Sequence, residues 1–221
     1  MSHPNTINAA SIEAGQAVYT PRTLRIYDLL VMGFSNPMLW KCPTPTLIAH
    51  YTRHRGPRHL EVGAGTGFIP DKANVSGEHL ALLDLNPQTL AYASQRLARF
   101  QPSTLQANLF EPIAYTGPAF DSINLGYVLH CLPGSMDEKS VVLDHLRPLL
   151  HPKGVLFGST LLGAGVAHNW GARHLMATYN RKGIFCNTAD SLESLRKNLQ
   201  QRFREVHIQL HGCGALFSAR N

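Results

Sequence analysis

The sequence is short of cysteine, of charge and of long apolar runs. Its four cysteines, Cys42, Cys131, Cys186 and Cys213, are widely separated and form no C-x-x-C pair. That spacing argues against a zinc site and a disulfide framework, so a reduced, cytoplasmic protein is the expectation. The longest apolar runs, such as 29–32 and 155–158, are far too short to cross a bilayer, and no membrane insertion is expected. Residues 1–16 mix Ser, Asn, Pro, Glu and Gly without an apolar stretch, so no signal peptide is expected. Repeats, low-complexity tracts and domain linkers are missing as well. What remains is 44% hydrophobic and 15% charged residues in 221, an ordinary globular balance for one domain with a sizeable core.

Acidic residues are outnumbered, giving a formal net charge of +6 and a pI of 9.3. The densest basic stretch, 50–59, reads His-Tyr-Thr-Arg-His-Arg-Gly-Pro-Arg-His. A dedicated nucleic-acid binder shows an extended basic face, often with an added recognition module, so nucleic acid is disfavoured as a partner. The cluster reads instead as solvated surface, with some attraction for anionic substrates.

After residue 56 strands and helices alternate, which predicts a parallel sheet in an α/β fold. Strands are expected at 58–62, 80–85, 104–107, 120–125 and 154–159, with helices at 88–100 and 139–150. A helix at 192–203 precedes two strands, 206–211 and 215–219, joined through Gly212-Cys213-Gly214 and hence antiparallel. Residues 1–56, helical at 21–32 and 37–51, are expected to cap a domain spanning 57–221.

The chemistry concentrates at His59-Leu-Glu61-Val-Gly63-Ala64-Gly65-Thr-Gly67-Phe68. Alternating glycines let a strand turn sharply and a ligand approach the backbone, and the helix that follows offers its amides to negative charge. A dinucleotide fingerprint would place a small residue where Phe68 stands, which makes NAD the minority reading.

Glu61-Val-Gly-Ala-Gly-Thr-Gly67 resembles motif I of the class I S-adenosylmethionine-dependent methyltransferases. The resemblance covers roughly 57–219 and implies a Rossmann-like, seven-stranded, mostly parallel sheet ending in an antiparallel pair. It implies S-adenosylmethionine as cofactor, with Gly63, Ala64, Gly65 and Gly67 along its methionine part and Glu61 organising the loop. Leu82-Leu-Asp84-Leu85-Asn-Pro87 resembles motif II, whose acid binds the ribose hydroxyls; the alternative for Asp84 is a helix cap. Asn108, beside Leu109, stands where many relatives carry an aspartate against the adenine amino group. Gly126-Tyr-Val-Leu-His130 resembles the segment lining the methyl donor.

Methyl transfer needs alignment and exclusion of water more than it needs a catalytic group, because the cofactor supplies the leaving group. His130 is a candidate general base, its alternative being a helix-start residue bonded to backbone. The connection 163–185 is expected to wall the acceptor pocket, with His168 as a further catalytic candidate and Asn169, Trp170 and Tyr179 as substrate contacts. A loop anchored in the core by Trp170 is the other reading. Tyr27 and Trp40 resemble cap aromatics of ubiquinone- and menaquinone-pathway methyltransferases, placing Tyr27 at the cofactor or acceptor and Trp40 at the substrate; for Met32, Phe34, Met38 and Trp40 the commoner reading is packing of the cap on the core. Asp137 and Glu138 do not make a convincing metal set, and a metal-free mechanism is expected. The expected acceptor is a small metabolite methylated on O, N or C. RNA or protein methylation and a non-catalytic cofactor-binding regulator remain as rivals, and a homodimer stays open.

Overall fold

The computed structural model describes residues 28–221, so Tyr27 and most of the helix expected at 21–32 lie outside the described residues. Seven strands form one sheet: β1 (Arg58–Val62), β2 (His79–Asp84), β3 (Ser103–Gln106), β4 (Phe120–Gly126), β5 (Leu150–Leu161), β6 (Glu205–His211) and β7 (Gly214–Arg220). Their spatial order is β3-β2-β1-β4-β5-β7-β6. The first five pair in parallel, and β7 lies antiparallel between β5 and β6. This is the Rossmann-like sheet with an antiparallel end that the sequence implied.

Strand alternation sorts the core. Leu80 and Leu82 of β2 face Leu90 and Ala93 of α4 (Pro87–Arg96) and Leu97, which caps it, while Ala81 and Leu83 enter the main core on the other face. In β1, Leu60 and Val62 join the main core. Their neighbours His59 and Glu61 therefore point to the opposite face, a polar pair in a buried strand.

Before β1 come α1 (Asp28–Leu39), wound as a π-helix with Pro37 inside it, and α2 (Thr44–His54). The single helix expected at 37–51 is broken because Pro43 caps α2 and cannot continue the preceding turn. The remaining helices are α3 (Phe68–Ala73), α5 (Met136–Lys139), α6 (Val141–Leu146), α7 (Trp170–Arg181) and α8 (Leu192–Gln200). Two corrections follow. The helix expected at 139–150 is interrupted at Ser140 and stopped by Pro148, so β5 begins four residues earlier than the expected 154 and runs from Leu150. The connection expected as a loop carries α7, whose cap Asn169 accepts a hydrogen bond from the Ala172 amide at 2.8 Å.

The chain builds β1, β2 and β3 outward in one direction and then returns to lay β4 on the other side of β1. That reversal leaves a crevice at the carboxyl ends of β1 and β4, where open α/β sheets bind their ligands.

Candidate active site

The floor of the crevice is the glycine turn. Gly63, Gly65 and Gly67 have φ of +70°, +51° and +69°, a region that side chains strain to reach. The Gly63 amide donates to the Leu83 carbonyl at 2.8 Å, and the Gly67 amide to the Ala64 carbonyl at 2.9 Å. A Cβ on Gly63 would stand 2.5 Å from Val128 Cγ2, whereas one on Gly65 would meet only the Gly63 carbonyl at 3.8 Å and project into the cleft. The first glycine is thus needed for packing and the second for the ligand.

The cleft has two halves. One, about 800 Å³, is lined by Gly63, Gly65, Asp84, Leu85, Asn108 and Leu109. The other, about 720 Å³, is lined by Glu61, Ala64, Gly67 and Gly126 among others. All ten residues nominated for the cofactor therefore meet in one crevice. Asp84 Oδ1 accepts from the Asn86 amide at 2.9 Å. Burial pushes its pKa up, while the amides of Asn86, Gly65, Ala64 and Leu85 pull it back down. Asn108 is partly committed: its Oδ1 accepts from the Phe110 amide at 3.1 Å and its Nδ2 donates to Glu111 at 3.0 Å. The second lone pair of that oxygen is still available to a ligand.

Glu61 sits in the other half, and register explains its surroundings. His59 pairs with Ser122 and Glu61 with Asn124 across β1 and β4, so all four side chains share one face. Asn124 Nδ2 donates to Glu61 Oε1 at 2.8 Å, His59 Nε2 lies 3.2 Å from Glu61 Oε2, and His59 Nδ1 lies 2.7 Å from Ser122 Oγ. Burial raises the Glu61 pKa to about 8, and hydrogen bonds from Asn124 and Tyr51 oppose it. Burial lowers that of His59 to about 3, helped by the Arg55 charge. Despite its ion-pair distance, the contact joins two neutral groups near pH 7.

The residues nominated for catalysis and acceptor binding are not brought together in the same way. His130 is buried behind the cleft wall, where its Nδ1 accepts from the Leu161 amide at 3.3 Å and its ring packs edge-on to Phe185. Desolvation first, then the Lys139 charge, lowers its pKa to about 3. His168 donates from Nε2 to the Leu162 carbonyl at 2.9 Å. Neither histidine lines the cleft. Trp40 and Tyr179 do not line the cleft themselves; they belong to an apolar cluster with Phe185, Met176 and Cys213 that packs behind the lining residues Leu47, Ile69 and Tyr127. Asn169 ties α7 to the cap by donating to the Met38 and Leu39 carbonyls, both at 3.1 Å. Trp170, far from anchoring a loop in the core, is 76% exposed and stacks on His174.

Several lining residues were not singled out in the sequence, although Tyr127 falls in the segment 126–130 that resembles the lining of the methyl donor. Tyr127 lines both halves of the cleft with φ of +58°, rare for a tyrosine and worth its strain only where the chain must turn into the site. Its amide donates to the Ser159 carbonyl at 2.8 Å. Thr89 lines the larger half with a buried hydroxyl that has no hydrogen-bond partner among the described residues. His50 and Tyr51 of α2 line the smaller half. Arg96 and Thr66 clasp Asp28 with contacts of 2.6 Å each, fastening the cap to the glycine turn. A position next to a recognisable turn hinted at Tyr127; nothing local marked the others.

A sheet of this order, a glycine turn at its switch point and carboxylates at the ends of the first two strands define a class: Rossmann-like enzymes that hold an adenosine-bearing cofactor. The residues fit such a group. Asp84 and the unpartnered Thr89 hydroxyl offer polar contacts beside apolar Leu85 and Leu109, Gly65 leaves a cradle, and Glu61 with Asn124 and Tyr51 offers a polar end.

Comparison with known proteins makes the class specific. A family model described as a methyltransferase domain matches residues 60–156. Demethylluteothin O-methyltransferase of Streptomyces thioluteus is 38% identical over 207 residues, 93% of this chain and 90% of that protein. A physcion biosynthesis cluster O-methyltransferase of Aspergillus chevalieri is 34% identical over 212 residues, 94% and 95% of the two chains. The DhpI complex with S-adenosylhomocysteine has the same fold, with a TM-score of 0.71 at 16% identity over 96% of this chain and 98% of that one. The chain belongs to the class I S-adenosylmethionine-dependent methyltransferases. It is an enzyme of the small-molecule type, with S-adenosylmethionine as its cofactor.

Proposed function

We propose that this enzyme transfers a methyl group to a hydroxyl oxygen of a planar, largely apolar metabolite. The observation that carries this reading is the near full-length similarity to two O-methyltransferases of metabolite biosynthesis. The make-up of the cleft supports it: Met32, Leu47, Phe68, Ile69 and Phe157 give the smaller half an apolar lining beside Tyr127. Such walls exclude water and orient a flat acceptor, which is most of what an in-line displacement requires.

In this reading Asp84 accepts from the ribose hydroxyls, Leu85 and Leu109 flank the adenine and Asn108 meets its amino edge. Glu61 and the turn Gly63–Ala64–Gly65 hold the amino-acid end, with Gly67 starting α3 and Gly126 leading into Tyr127. The bound cofactor supplies an electrophilic methyl on a sulfonium. The acceptor oxygen forms the new bond, the carbon–sulfur pair returns to sulfur, and the hydroxyl proton leaves to a base or to water. His50 is the lining histidine: burial keeps its imidazole neutral and its Nε2 donates to the Phe217 carbonyl at 3.1 Å, which leaves Nδ1 as the ring nitrogen to take that proton. His130, His168 and Tyr179 shape the wall from behind, and Trp170 presents an exposed aromatic face at the junction of cap and α7.

The test is incubation with S-adenosylmethionine and a panel of phenols, hydroxypyrones, amines and enolisable ketones, read by mass spectrometry. O-methyl products from the hydroxylated aromatics are expected. Methyl transfer only to amines or to carbon overturns the choice of atom. Label in bulk RNA or protein with none in the panel supports the macromolecular rival, which the net charge of +6 alone favours.

A further inference from the structure

The hydrogen-bonded row behind the glycine turn is more elaborate than a structural support needs. It runs from the Gly56 amide, which donates to Ser122 Oγ at 2.7 Å, through His59 to Glu61, and ends in the cleft wall. His59 is 0% exposed and Glu61 5%. Each member can work in two directions. With a protonated Glu61, the carboxyl O–H donates to His59 Nε2, and His59 Nδ1–H donates to Ser122. With an ionised Glu61, His59 Nε2–H donates to the carboxylate, and the Ser122 hydroxyl donates to Nδ1. The imidazole changes tautomer between the two states and keeps a side-chain partner at each ring nitrogen in both.

The cofactor brings a reason to switch. Its amino-acid end carries an ammonium group, and Glu61 is the carboxyl in the wall of that half of the cleft. A neutral carboxyl cannot balance a cation in a buried site, and an ionised one with no cation beside it is costly. We propose that His59 is a positioning residue for the cofactor: it holds Glu61 and lets that carboxyl exchange its proton for the cofactor's ammonium group, so binding releases a proton. The balance is one proton from the Glu61 carboxyl to solvent for each ammonium group taken up. The inference rests on cofactor binding and is independent of the acceptor.

The other groups facing the pair agree with this assignment. Tyr51 and Arg55 reach it from α2, Tyr51 bonding Glu61 and Arg55 adding positive charge near His59, while Ser122 and Asn124 face it from β4. From β5 the neighbour is the ring of Phe157, 5.9 Å from that of His59, with His50 and His54 beyond it. Among the described residues, no second carboxylate takes part to share the proton. Burial keeps the cofactor-free Glu61 protonated up to about pH 8, which puts the exchange in the neutral range.

Calorimetric titration in buffers of different ionisation enthalpy tests it, with S-adenosylhomocysteine and 5′-methylthioadenosine as probes, the second lacking the amino-acid end. At pH 7 S-adenosylhomocysteine is expected to release about one proton and methylthioadenosine none, with the release fading above about pH 8. Glu61→Gln abolishes the release. His59→Asn weakens S-adenosylhomocysteine by about tenfold and leaves methylthioadenosine unchanged, and Ser122→Ala acts in the same direction. Proton-free binding of S-adenosylhomocysteine by the wild type overturns the inference while leaving the cofactor intact. Equal weakening of both probes by His59→Asn also overturns it, by showing a purely structural role. Binding of neither probe sinks the cofactor assignment itself.

Discussion

Alanine at Gly63 and at Gly65 should damage the protein in opposite ways, although the two glycines are two residues apart. Both hold positive φ, so alanine at either costs about 1–2 kcal/mol in backbone strain. At Gly63 the added methyl also lands 2.5 Å from Val128 Cγ2, and overpacking of that kind costs a further ~1–3 kcal/mol. For a chain of this size each kcal/mol lowers Tm by about 2–4 °C, so Gly63→Ala should lose about 4–20 °C and Gly65→Ala about 2–8 °C. Binding reverses the order. The Gly65 methyl projects into the cleft, and its loss of affinity for S-adenosylhomocysteine, about tenfold or more, should exceed what its small stability loss suggests. The cycle with Val128→Ala isolates the clash. Removing those methyls should recover the packing part of the Gly63→Ala penalty, a coupling of about 1 kcal/mol or more between residues in contact. Thermal denaturation of the four variants and calorimetry on Gly65→Ala are sufficient. Strict additivity of Gly63→Ala and Val128→Ala, or a larger Tm loss at Gly65 than at Gly63, would refute the reasoning.

Asp84→Ala should weaken S-adenosylhomocysteine by about 1.5–3 kcal/mol, the scale of hydrogen bonds to a charged group, with methylthioadenosine weakened equally because both carry the ribose. Glu61→Gln should stabilise the cofactor-free protein, and more so at pH 8 than at pH 6. The raised pKa means that between about pH 4.5 and 8 the unfolded chain sheds a proton the fold retains, so the Glu61 contribution to wild-type stability falls as pH rises through that window, and the variant lacks that contribution. A difference in Tm that stays flat from pH 6 to 8 contradicts this. Lys139 is fully buried and donates to Asp190 at 3.0 Å. Lys139→Met alone should cost about 3–5 kcal/mol in urea denaturation, and replacing Asp190 with leucine as well should return most of it.

How much of this was legible in the sequence depended on the range of the cause. The glycine turn and the two strand-end carboxylates are written locally, in spacing and residue type, and all ten nominated cofactor residues lie in one crevice. Strand β5 was misjudged at its start because Pro152 looks like a turn signal, yet the residues around it continue the strand. Helix α7 was missed because its face, with Ala172 and Met176 buried, is short and its flanks are rich in glycine. Trp40 illustrates the harder limit. An aromatic in a cap is equally suited to a ligand or to packing, and only the fold reveals that Phe185 and Cys213 already surround it. The pairing of His59 and Glu61 with Ser122 and Asn124 needed the register between strands 63 residues apart, which no local pattern encodes.

The hairpin of β6 and β7 completes more than the edge of a sheet. The Cys213 amide in its turn donates to the Trp40 carbonyl at 2.8 Å, and the Leu162 amide donates back to Cys213 at 2.9 Å. The cap is thus stitched to strands that follow all ten nominated cofactor residues in the chain, with β7 lying between β5 and the edge strand β6. During synthesis the adenosine half can form early with Asp28 already held by Thr66 and Arg96, but the Trp40 carbonyl gains its partner only when the hairpin emerges. The last strands of a growing chain of this enzyme would therefore lock the far end of the cap in place rather than build the pocket itself.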